Sequence, residues 1–199
     1  MALLQGAHLE IANAQAYSSS ILGTTGSSPE GITIDPAGNI YTANTNSNNV
    51  SKITPAGVTT ILGTTGTGPI AITIDSVGNI YTANFISNNV SKITPAGVST
   101  TLGTTGNNPF AITIDSAANI YTANLGSNNV SKITAAGASA ILGTTGTGPT
   151  GITIDTACNV YTSNFGSNNV SKITPAGVSI TLGTTGTNPN GITIDSVGN

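Results

Sequence analysis

The sequence has no arginine, one histidine, one cysteine and little charge of either sign. Charged residues make up 6% of its 199 positions, against roughly 25% in an ordinary globular domain. Four lysines, five aspartates at one recurring position, Glu10 and Glu30 account for the net charge of -3. Solubility therefore rests on Asn, Ser, Thr and Gly. Without arginine there is no basic patch to hold phosphates, which excludes nucleic acid as a partner. The lone Cys158 excludes a disulfide framework within the chain. The lone His8 leaves the remainder without a Ser-His-Asp or Cys-His nucleophile set. No apolar run approaches the ~20 residues of a helical membrane span. The first twenty residues hold no Lys or Arg and only a short apolar cluster at residues 2–4, a pattern that does not predict a signal peptide.

What is present is one sentence repeated. Residues 31–54, GITIDPAGNIYTANTNSNNVSKIT, recur with a 40-residue period and no slip. Copies start near residues 21, 61, 101, 141 and 181, and Asp35, Asp75, Asp115, Asp155 and Asp195 are equivalent. Residues 1–20 read as an atypical N-terminal segment, a remnant of a preceding unit, and residues 21–199 as the repeat region. Each unit holds four short alternating segments rich in Ile, Val, Thr and Tyr, which predict strands. In the first copy strand A is 31–35, B is 39–44, C is 49–54 and D is 57–63. The DPAGN and TPAG connections carry turn chemistry, with an Asp to cap amides, a proline to preset φ and a glycine for positive φ. No stretch of the repeats shows helical periodicity.

Four antiparallel strands per 40 residues predict an all-β fold, a β-propeller of four-stranded blades. A parallel β-solenoid with threonine ladders suits the same period, but two hairpin turns per repeat favour the propeller. Residues 18–23 align with strand D and residues 191–195 with strand A, while residues 8–13 resemble a poor strand C. The expectation is an open arc: four full blades between a leading D strand and a trailing A strand, truncated from a longer propeller, with edges available for self-association.

The motif P-x-G-I-T-I-D-x-x-G-N-I-Y-T-A-N resembles the NHL repeat. The positions that carry the resemblance are Pro29, Gly31, Ile32, Asp35, Gly38, Asn39, Ile40, Tyr41, Ala43, Asn48 and Val50, and it extends over residues 29–199. It implies a propeller, in a superfamily that also includes gluconolactonase-like and streptogramin lyase-like enzymes beside many binding modules. Two departures stand out. Where the family pattern has Asp, this chain has Asn44, Asn84, Asn124 and Asn164. Where it has Arg, this chain has Asn49, Asn89, Asn129 and Asn169.

A lactonase-like site implies several oxygen ligands converging on one ion, and a lyase-like site implies His and Glu near a metal. The repeat aspartates read as turn caps instead, and no cofactor or metal is expected. Lys52, Lys92, Lys132 and Lys172 read as exposed or Asp-paired strand residues. Tyr41, Tyr81, Tyr121 and Tyr161 read as inter-blade packing with the hydroxyl at a wet edge. The Asn-Val-Ser at Asn49 and its copies matches a glycosylation sequon but recurs only because the repeat does.

Candidate binding residues come from comparing the copies with one another. Two places vary: the residue before strand A (Glu30, Ile70, Phe110, Thr150) and the B–C connection (Phe85, Ile86, Leu125, Phe165). In an up-and-down blade the D–A and B–C connections emerge on one rim, so these residues predict one variable face with an apolar patch. Glu30, a lone carboxylate without a partner, reads more readily as a solvated loop residue than as a ligand. The four copies are nearly interchangeable, whereas an active site needs particular residues on particular blades. The expectation is a non-catalytic binding or scaffold module for a protein or small ligand, extracellular or at the cell surface. The alternative is a piece of a lyase-like or lactonase-like propeller enzyme whose catalytic blades lie elsewhere.

Overall fold

The computed structural model describes residues 19–195. Within them lie four four-stranded antiparallel sheets, each ordered as it runs in the chain. The first blade holds β1 (Pro29–Ile34), β2 (Ile40–Asn44), β3 (Asn49–Ile53) and β4 (Thr59–Thr64). The second holds β5 (Pro69–Ile74), β6 (Ile80–Asn84), β7 (Asn89–Ile93) and β8 (Ser99–Thr104). The third holds β9 (Pro109–Ile114), β10 (Ile120–Asn124), β11 (Asn129–Ile133) and β12 (Ser139–Thr144). The fourth holds β13 (Pro149–Ile154), β14 (Val160–Asn164), β15 (Asn169–Ile173) and β16 (Ser179–Thr184). Consecutive A strands (β1, β5, β9, β13) pack side by side along the inner side of the arc. The propeller reading holds and the solenoid does not.

The turns are built as their residues dictate. Asp35 Oδ1 accepts the Asn39 amide at 2.8 Å, and the Gly38 amide donates to the Asp35 carbonyl at 2.9 Å. Gly38 and Gly78 have φ of +81° and +88°; Ala118 and Cys158 stand in the same place at +60° and +61°. Cys158 thus occupies a position suited to glycine.

Each blade meets the next across an apolar interface made of two unlike faces. Between the first two blades, Tyr41, Val50 and Leu62 meet Ile72, Ile74, Ile80 and Ile93 of the following sheet. The same set recurs twice, around Tyr81 and Ile120 and around Tyr121 and Val160. The leucine enters because the outer strand carries a bulge: Val50 pairs with Gly63 and Ser51 with Ile61, leaving Leu62 as the extra residue. Glycine beside it permits close approach, since a Cβ at Gly63 would lie 2.8 Å from Ile93 Cγ2.

The arc is open. Ile32 and Ile34 of the first blade are 69% and 60% exposed, where Ile72 and Ile74 are half-buried. A Cβ at Gly183 would meet nothing within 4 Å. Two expected strands are absent. Residues 19–25 and 191–195 have no strand assignment, because no neighbouring C or B strand is present among the described residues to form a ladder with them. Each lies in the place such a strand would take. A Cβ at Gly23 would lie 2.7 Å from Ile53 Cγ2, as Gly63 relates to the second blade. Gly191 approaches Gly151 as Ala71 approaches Gly31. The C-like strand expected at residues 8–13 and the boundary at residues 1–20 lie largely outside the described residues. Strand A begins two residues earlier than expected, at Pro29, and strand D two residues later, since Gly57 is part of the turn.

Candidate functional site

The D–A and B–C connections do share a rim. Asn48, in the first B–C turn at φ +51°, accepts the Gly68 amide on its Oδ1 at 2.8 Å and the Thr65 amide on its carbonyl at 2.9 Å. The Phe85 amide donates to the Gly68 carbonyl at 2.8 Å. The opposite rim carries the A–B and C–D turns, where Gly38 abuts Pro55.

The residue before strand A varies for a structural reason. Pro29 pairs with Asn44 and Gly31 with Ala43, so Glu30 is the unpaired residue of a β-bulge. Ile70, Phe110 and Thr150 occupy the same bulge in the next three blades. A bulge re-aims a side chain out of the sheet's alternation, and here it does so at the rim. Glu30, Ile70 and Phe110 converge with Phe85, Ile86, Thr45 and Gly68 around one cavity of about 210 Å³. Its aromatic members pack edge to face, with the Phe85 and Phe110 centroids 6.3 Å apart and the rings at 78°. Phe110 and Ile86 are exposed and Phe85 and Ile70 half-buried. Gly68, at φ +68°, leaves room for Ile86, whose Cγ1 would be 2.9 Å from an added Cβ.

The other expected residues are placed differently. Leu125 and Phe165 occupy the corresponding B–C turns of the third and fourth blades and do not line this cavity. Thr150 is only 8% exposed, and its hydroxyl donates to the Pro189 carbonyl at 3.1 Å, so the fourth bulge is covered by the chain itself and does not belong to an open face. Gly68 was not singled out from the sequence. Thr45 sits in the variable B–C connection, and Gly68 is one of a set with Ser28, Asn108, Gly148 and Asn188 that all take positive φ.

Below the rim the repeated polar residues are occupied with one another. Thr42 Oγ1 donates to Asn44 Oδ1 at 3.0 Å, and Asn44 Nδ2 donates to Asn49 Oδ1 at 2.7 Å and Ser51 Oγ at 2.9 Å. The Gly26 amide reaches the same Ser51 hydroxyl at 3.2 Å. Asn44 and Asn49 are the positions at which the NHL pattern has Asp and Arg, and they are cross-strand partners. A neutral amide pair here avoids the desolvation that two charges at these positions would incur. The Asn49 side chain is held in this network.

Toward the other rim each tyrosine hydroxyl donates to its own turn aspartate, Tyr41 to Asp35 Oδ2 at 3.0 Å and Tyr161 to Asp155 at 2.9 Å. Burial pushes the Asp75 carboxyl up, but hydrogen bonds from Asn79, Tyr81 and the Val77 amide outweigh it and hold the group below the usual carboxylate range. Burial, with the bond to Asp35 and its charge, raises Tyr41 to about 12. The lysines, expected to be exposed or Asp-paired, are half-buried, and Lys52, Lys92, Lys132 and Lys172 place their ammonium groups over the tyrosine rings at 5.7, 5.8, 5.5 and 5.5 Å. Among the described residues no three His, Cys, Asp or Glu side chains gather in a way that would hold a metal ion, and no helix is long and apolar enough to cross a membrane.

The arrangement has relatives of known structure. A crystal structure of virginiamycin B lyase from Staphylococcus aureus superposes with a TM-score of 0.70 at 22% identity, covering 78% of this chain and 55% of that one. A streptogramin B lyase structure gives 0.68 at 20% identity, covering 78% and 54%. A catalytically inactive histidine-to-alanine variant of the S. aureus enzyme with quinupristin gives 0.68 at 23%, covering 79% and 55%. No curated protein matches. The present chain spans about half the length of these structures, and at such identities they establish the fold. The family model of the virginiamycin B lyases matches residues 10–199. On that match, which takes in all four blades and both flanking segments, the chain belongs to the virginiamycin B lyase family.

Proposed function

We propose that the chain is a non-catalytic binding module that takes a small apolar or aromatic group into the rim cavity over its first three blades. The observation that carries this reading is the bulge: three successive blades use one bulge position to turn Glu30, Ile70 and Phe110 toward one cavity. Those positions vary while the fold-bearing residues around them repeat. A cavity of about 210 Å³ is below the roughly 300–1,000 Å³ of sites for drug-sized ligands. It fits a single ring, or one hydrophobic side chain presented by a protein partner. Edge-to-face aromatics at the mouth favour a flat apolar guest. Glu30 stands alone there as an acid and lacks a partner acid or histidine, so the cavity has no general acid–base pair.

The second reading is a portion of a lyase. Family membership favours it, and the quinupristin complex of the S. aureus variant shows what one relative binds. The histidine implicated by that variant has no counterpart among residues 21–199, which contain none. The discriminating experiment incubates the purified chain with indole, as a single-ring probe, and with quinupristin. Binding is followed by calorimetry and turnover by liquid chromatography. The module reading expects indole binding that Phe85→Ser and Phe110→Ser abolish without changing Tm, and no conversion of quinupristin. Conversion of quinupristin, or indole binding indifferent to both substitutions, overturns it.

A further inference from the structure

We infer that the rim cavity selects an arylalkylamine, a ring joined by a short aliphatic link to a cationic nitrogen. The inference rests on the binding reading above and adds the charge and shape of the guest. It follows from which polar groups around the cavity are already engaged. Thr45 Oγ1 donates to the Pro69 carbonyl at 2.9 Å, and the Thr45 amide to the Ser28 carbonyl at 2.9 Å. The Gly68 amide donates to Asn48 Oδ1 at 2.8 Å, and its carbonyl accepts the Phe85 amide at 2.8 Å. The Ile86 amide donates to the Thr67 carbonyl at 3.2 Å. The other lining side chains, Ile70, Phe85, Ile86 and Phe110, are apolar. What remains is the Glu30 carboxylate, which has no hydrogen-bond or ion-pair partner among the described residues. A carboxylate only accepts hydrogen bonds. An anionic guest would meet a like charge and no side-chain donor, whereas a cationic guest meets its complement.

No lysine competes for that position. The lysine ammonium groups lie over tyrosine rings whose hydroxyls reach the aspartates of the opposite rim. The order of the lining residues sets the guest's shape. Glu30, Ile70 and Phe110 hold the same bulge on β1, β5 and β9, which are neighbours in that order. The acid therefore stands at one end of the cavity and the Phe85–Phe110 pair at the other, with Ile70 between them. A ring against the two phenylalanines leaves an aliphatic link over Ile70 and brings the nitrogen to Glu30.

Calorimetric titration of the purified chain at low salt with tryptamine, indole and 3-indolepropionate tests this. The three share one ring and differ in the tail and its charge. Tryptamine is expected to bind about two- to fivefold tighter than indole, the range of an exposed ion pair, and 3-indolepropionate more weakly than indole. Added salt narrows the spread, because Glu30 is exposed. Glu30→Gln, whose fold circular dichroism verifies, removes the preference for tryptamine over indole. A preference that survives Glu30→Gln overturns the inference. Equal binding of all three probes, with indole binding still lost in Phe110→Ser, also overturns it but leaves the binding reading standing. Absence of binding by indole and tryptamine alike overturns both.

Discussion

Ile32, Ile72 and Ile112 are the same residue in the same motif, and the structure assigns them unequal energies. Ile72 and Ile112 are half-buried against Tyr41 and Tyr81 respectively, while Ile32 has no blade before it among the described residues and is exposed. Ile40 and Ile120 form a second such pair, since Ile120 is fully buried and Ile40 is not. Truncating a fully buried isoleucine to alanine costs about 2–5 kcal/mol, the transfer term plus the cavity left behind. Ile120→Ala, closed in by Tyr81, Ile133 and Leu102, belongs in the upper half of that range. Ile72→Ala and Ile112→Ala, partly covered, fall near its lower end. Ile32→Ala changes an exposed surface and stays within about 0.5 kcal/mol. Repeat arrays unfold by neighbouring units, so the readout is urea denaturation combined with site-resolved amide exchange in the blade concerned. An equal loss at Ile32 and Ile112 refutes the open arc, because it requires a blade packed on the first face.

Asn124→Asp places a charge in a fully buried amide network and should cost about 3–5 kcal/mol, with the double change Asn124→Asp/Asn129→Arg recovering much of it in a double-mutant cycle of urea midpoints. Tyr121→Phe removes the hydroxyl that donates to Asp115 at 3.0 Å and should cost about 1.5–3 kcal/mol, a bond to a charged acceptor. The turn aspartates are held below their unfolded pKa, so the stability they give is complete above that value and fades as pH falls through the folded one. Tyr41, raised to about 12 from 10.0, has the opposite sign: its contribution is complete below 10.0 and is lost as pH rises toward 12. A urea midpoint followed against pH should therefore decline at both ends. Cys158→Gly should raise stability by up to about 1 kcal/mol, relieving a left-handed non-glycine residue while adding unfolded-state entropy.

The architecture was legible because each blade repeats the same local signals. Alternation placed the strands, and Asp-Pro-Ala-Gly-Asn placed the turns, within two residues. The shared rim followed from chain reversal alone. The terminal strands failed because a strand is a pairing, not a motif: residues 191–195 carry strand A's residues, but among the described residues there is no B strand for them to meet. The bulge under Glu30, Ile70 and Phe110 was invisible for a related reason, since an extra residue is defined only by what lies opposite. Variation between copies still pointed to those positions. It misjudged Thr150, whose environment is set by residues 189–191 rather than by its own blade. The Lys–Tyr–Asp ladder and the Asn44–Asn49 pair were present as spacings but not as contacts, because which face a side chain leans toward depends on the neighbouring strand.

The rim cavity is the centre of this account, and amide chemical-shift mapping of the labelled chain during titration with indole tests it most directly. The prediction is a saturable set of shifts confined to Glu30, Gly68, Ile70, Phe85, Ile86 and Phe110, with the turns at Gly38, Gly57, Gly78 and Gly97 unmoved. Shifts centred on those opposite-rim turns, or none that saturate, contradict it.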